Sequence, residues 1–64
     1  MNKERFEKKF KVVKQDSGPF IIVRLRDSMF YVDNYCFVDN KYINLFWKDI
    51  EVGFCRLSSV KEVF

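Results

Sequence analysis

The side chains that could carry covalent or metal chemistry in this chain are few: Cys36 and Cys55 are its only cysteines, and it contains no histidine. A thiol becomes a nucleophile when a neighbouring base or cation draws off its proton, and no imidazole exists to do so. Zinc takes four cysteine or mixed cysteine and histidine ligands, a set that two thiols cannot complete. The carboxylates Asp33, Asp39, Asp49 and Glu51 fall where turns are expected, which makes them turn formers rather than an acid-base pair. With two glycines in the whole chain there is no glycine-rich phosphate loop. The expectation is a non-enzymatic protein with no cofactor and no metal, whose work is binding.

At 64 residues the chain makes one domain, near the size at which a single core is marginal. It is 48% hydrophobic and 33% charged, with a single proline, a balance that excludes collagenous, low-complexity and wholly disordered polypeptides. No apolar run exceeds four residues, as in Phe20 to Val23, so no membrane span is expected. The segment from Met1 to Lys11 is charged around isolated Phe6 and Phe10, unlike a secretory leader. That predicts a cytoplasmic, reducing location with both thiols serving as packing residues. Charge is uneven: residues 1–16 hold six bases against three acids, whereas residues 17–64 hold six of each, so the whole +3 excess belongs to the leader. Lys3, Arg5, Lys8, Lys9 and Lys11 form a basic leader that attracts an acidic partner without encoding specificity, or simply a solvated helix face.

Phe6, Phe10 and Val13 recur at spacings of four and three, which predicts a helix over residues 1–16, capped by Asn2 and docked through its phenylalanines. Val12 and Val13 are β-branched and favour an extended end to it. The breaker Gln15-Asp16-Ser17-Gly18-Pro19 then changes the period to two. Ile21, Val23 and Leu25 alternate with Ile22, Arg24 and Arg26 as in a half-buried strand, and Asp27-Ser28 turns the chain. Beyond Met29, β-branched and aromatic residues are interrupted at Asp33-Asn34, at Asp39-Asn40-Lys41 and at Lys48-Asp49-Ile50-Glu51, which predicts short strands with tight connections. Ile43, Leu45 and Trp47 share a face and point inward, which turns Asn44 outward to solvent or a ligand. Phe54, Leu57, Val60 and Val63 predict a strand, a tight turn and a short closing strand. The fold expected is mainly β, an N-terminal helix over residues 1–16 followed by a small, strongly bent five-stranded barrel over residues 17–64, with two free edges suited to assembly.

Val23-Arg24-Leu25, a turn, Met29, Tyr31, a bend at Asp33, Tyr35, Val38-Asp39 and Tyr42-Ile43-Asn44 resemble the first motif of the Sm and LSm proteins, the Hfq type included. Cys55-Arg56-Leu57-Ser58-Ser59-Val60 is similar to the second. At three positions where the family carries glycine, this chain has Ser28, Asp33 and Leu57. The resemblance implies a five-stranded barrel that assembles edge to edge into a homo-oligomeric ring and binds single-stranded RNA. It also implies that Tyr42 stacks on a base, Asn44 reads a base edge, Asp39 orients their loop and Arg56 joins them from the second motif.

Each of these residues also has a purely structural role open to it. Tyr42 and Trp47 suit packing in an aromatic-rich barrel, Asn44 a polar strand position, and Arg24, Arg26 and Arg56 the charged strand positions that discourage edge aggregation. A second function is therefore carried forward: a small phage- or mobile-element-type regulator that docks an aromatic patch and a strand edge on a host protein. A third is an accessory subunit stable only within its assembly. The lack of alanine beside abundant Lys, Asn, Phe and Ile points to an AT-rich genome and fits both binding functions.

Overall fold

The computed structural model describes residues 1–16 and 21–64; the breaker residues Ser17, Gly18 and Pro19 lie outside the described residues. Helix α1 (Lys3–Asp16) begins as its sequence predicts: the Arg5 amide donates to Asn2 Oδ1 at 2.8 Å and the Phe6 amide to the Asn2 carbonyl at 2.9 Å. Its apolar stripe is buried at Phe6, Phe10 and Val13. The extended end expected at Val12 and Val13 does not occur, and the helix continues to Asp16. Burial of Val13 in the core outweighs the modest helix penalty of a β-branched residue.

Six short strands follow among the described residues. In the first sheet, β1 (Ile21–Arg24) lies between β2 (Met29–Val32) and β6 (Glu62–Val63). In the second, β4 (Tyr42–Trp47) lies between β3 (Asn34–Val38) and β5 (Ile50–Arg56), and a 3-10 turn (Leu57–Ser59) leads from β5 towards β6. All pairings are antiparallel. The five-stranded barrel expected from the sequence is thus corrected to six strands in two three-stranded sheets without closure. Asp33 is one reason. Its amide donates to the Phe46 carbonyl at 2.9 Å and its Oδ2 accepts the Lys48 amide at 3.0 Å, so the chain leaves β1 at this residue and joins the second sheet. What reads as one long bent strand becomes β2 and β3. Closure fails because β6, two residues long, pairs only with β1, and β5 pairs only with β4.

A three-residue turn, Asp39 to Lys41, connects β3 to β4, and a two-residue turn, Lys48 and Asp49, connects β4 to β5. Asp39 and Asn40 have φ of 53° and 59°, Lys48 and Asp49 of 50° and 66°. Positive φ at both central positions matches the right-handed twist of a hairpin, and Asn and Asp tolerate it better than most residues. The second turn is shorter than its sequence predicts, since Ile50 and Glu51 already belong to β5.

The core joins both sheets to the helix. Val23, Ile43 and Leu45 are fully buried, as the alternation of β1 and β4 predicts, together with Phe6, Val32 and Val63. Trp47 is only half-buried, near Tyr31 with ring centroids 6.2 Å apart. Phe6 meets Phe10, Tyr35 and Phe37 at centroid distances of 5.9, 5.0 and 6.0 Å, the last two edge-on. Among the described residues no helix is long and apolar enough to cross a membrane.

Phe6→Ala removes the ring at the centre of this contact and is expected to cost about 3–5 kcal/mol. That is a large share of the stability of so small a domain. Urea unfolding followed by circular dichroism measures it, and a loss below about 1 kcal/mol would show that the helix contributes little to the core.

Candidate functional site

The residues expected to recognise a ligand fall on the outer face of the second sheet and at its end. The register of β4 against β5 sets Tyr42 opposite Arg56 and Asn44 opposite Phe54. β3 adds Val38 opposite Tyr42 and Cys36 opposite Asn44. Tyr35 and Phe37 alternate to the inner face, where they meet the helix.

Tyr42 and Arg56 line a cleft of about 390 Å³ between the start of α1, the β3–β4 turn and the end of β5. Its floor is fixed by main-chain bonds: the Leu57 amide donates to the Lys41 carbonyl at 2.7 Å, and the Lys41 amide to the Val38 carbonyl at 3.1 Å. Lys3 reaches in from the helix, its Nζ donating to Asn40 Oδ1 at 3.3 Å and lying 5.3 Å from the centre of the Phe37 ring. Lys41 joins the lining, and no carboxylate does. Three cationic side chains and one phenol thus converge without a counter-charge in the wall, an arrangement that favours an anionic ligand with a flat apolar part.

The other residues expected at the site are spread more widely. Asn44 is on the outer face, as strand alternation requires, but it lies outside the cleft lining, and its Oδ1 is shielded from solvent without a hydrogen-bond partner. Asp39 is an exposed turn residue whose φ of 53° shapes the hairpin, and it too lies outside the lining. The basic leader does not act as one patch. Lys3 enters the cleft, Arg5, Lys8 and Lys9 flank Val12 on the outer side of the helix, and Lys11 turns with Lys14 towards Asn34 and Tyr35. Burial, and to a lesser degree the Glu7 carboxylate, push the Tyr35 phenol above its usual pKa, so it stays neutral at physiological pH.

Lys41 and Phe54 are site-forming residues that motif reasoning misses. The Phe54 ring is 56% exposed and stacks on Tyr42 with centroids 5.5 Å apart and planes 17° from parallel. Its outward direction follows from a bulge. Trp47 pairs with Ile50 and Phe46 with Glu51, but Leu45 pairs with Gly53, so Val52 is an extra residue in β5. Unbroken pairing from the turn would have set Asn44 opposite Gly53 and turned Phe54 inward.

The two thiols differ in the same way. Cys36 is exposed on the outer face, whereas Cys55 is half-buried on the inner one, where burial pushes its thiol above the usual pKa. At pH 8 iodoacetamide is therefore expected to alkylate Cys36 several-fold faster than Cys55, read by peptide mass mapping over time. Equal rates would contradict the placement of Cys55.

Among the described residues no three His, Cys, Asp or Glu side chains gather as a metal site. In comparisons with protein families, curated proteins and solved structures, the chain matches none.

Proposed function

We propose that this chain is a non-enzymatic, Sm-like RNA-binding protein that holds single-stranded RNA at the cleft of Tyr42 and Arg56 and works as a homo-oligomer. The observation that carries this reading is the convergence of Lys3, Lys41 and Arg56 around Tyr42 with no carboxylate in the wall. An unpaired strand offers what such a site takes: phosphates for the cations and an unstacked base for the phenol. Asn44, one step along the same face, offers its amide N–H groups to a base edge, its Oδ1 being shielded from solvent. The unpaired edges of β5 and β6 support edge-to-edge assembly, and pairing there leaves the outer face of the second sheet open to RNA.

A second reading has its own support. Met29, Tyr31 and Ile50 are 62, 59 and 66% exposed and lie outside the cationic cleft. Exposed apolar side chains of this kind suit docking on a host protein, as a small phage-type regulator would do.

Fluorescence anisotropy with labelled hexauridylate and hexaadenylate tests the RNA reading. Arg56→Gln is expected to weaken binding about tenfold and to reduce the salt slope by about 0.7, the value for one phosphate contact on a single strand. Asn44→Ala should weaken it by a smaller factor that depends on the base. Equal affinity of the wild type and both variants removes the site assignment. Light scattering tests assembly: a hexamer or heptamer is expected, while a monomer that ignores RNA and captures one host protein decides for the second reading.

A further inference from the structure

We propose that Phe54 is a second base platform: a nucleobase stacks on the outer face of its ring, beside the nucleotide whose phosphate Arg56 holds. The proposal rests on the nucleic-acid reading of the cleft and extends the site along β5.

The geometry restricts where a base can go. Tyr42 and Phe54 stand 5.5 Å apart and nearly parallel. A base inserted between two rings needs about 3.5 Å on each side, about 7 Å in all, so the gap is too narrow. One face of Tyr42 is therefore already taken, and the ring pair acts as a unit that a base lengthens from outside. Phe54 offers the open end, being 56% exposed on an outer strand face. Arg56 follows two residues later on the same face, about 7 Å along the strand, within reach of a single nucleotide. The bulge at Val52 is what puts the ring and the guanidinium on this face together.

The chemistry around the ring selects the occupant. This face also carries Val38, Tyr42 and Phe46, and what sets the Phe54 end of it apart is Arg56, two residues on, with Lys41 and Lys3 lining the cleft beyond. An apolar plane next to a concentration of positive charge matches a base joined to phosphate. Among the described residues the exposed ring stacks on Tyr42, and Tyr42 and Arg56 already account for the strand pairing beside it.

The test separates this step from the cleft reading. Phe54→Leu keeps apolar bulk but loses the π face, and Phe54→Tyr keeps both. Each is titrated with labelled hexaadenylate and with a hexameric ribose-phosphate strand lacking bases. Phe54→Leu is expected to weaken hexaadenylate binding roughly 5- to 150-fold, the equivalent of about 1–3 kcal/mol per stacked base. Its weak affinity for the baseless strand should not change, and Phe54→Tyr should remain within about twofold of the wild type for both. Because the side chain is exposed, thermal melts of the variants are expected to coincide with the wild type. If Phe54→Leu binds hexaadenylate like the wild type while Arg56→Gln does not, the second platform is overturned and the cleft stands. A wild type that binds neither strand at moderate salt overturns both.

Discussion

Burial of the Phe6 ring is the contact on which the rest of this small structure depends. The ring is fully buried, stacked with Phe10 on its own helix and edge-on to Tyr35 and Phe37 of β3. A helix of this length is marginal by itself in water, and two three-stranded sheets that do not close leave an open core. Each supplies what the other lacks. The helix packs on β1 and β6 of the first sheet and on Tyr35 and Phe37 of the second, and the sheets give the helix the apolar surface that keeps it folded.

The same docking positions the candidate site. With Phe6 and Phe10 held against β3, the first turn of the helix lies beside the β3–β4 hairpin, and Lys3 is carried to Asn40 and Phe37. A cation from the helix thus meets Lys41 and Arg56 from the strands. Like charges that line one cleft repel each other, so this cluster is not itself a contribution to the fold. The hairpin turns matter as well. Asp39 and Asn40 accept positive φ, fix the register between β3 and β4, and so decide which residues stand beside Tyr42.

Much of the local structure was legible in residue order. The spacing of Phe6, Phe10 and Val13 predicts the buried helix face, Asn2 its cap, and the alternation around Val23, Ile43 and Leu45 the inner faces of β1 and β4. Less legible was where one strand becomes two. Asp33 reads as a bend, but the bonds it makes to Phe46 and Lys48 come from residues distant in sequence, and they move the chain from one sheet to the other. The basic leader reads as a single patch by count, whereas helical geometry distributes Lys3, Arg5, Lys8, Lys9 and Lys11 over different faces.

By itself the sequence determined the element types, the inward residues of the regular elements, and the presence of aromatic, amide and guanidinium groups without histidine. These follow from local period and composition, which act over a few residues. Only the tertiary structure decided which of those groups meet. The extra residue at Val52 shifts the rest of β5 by one position, so that Phe54 turns outward onto Tyr42, Arg56 stands opposite Tyr42, and Cys55 turns inward. Side chains alternate along a strand, so a shift of one residue exchanges its two faces, and that shift is set by pairing with another strand rather than by the strand's own composition.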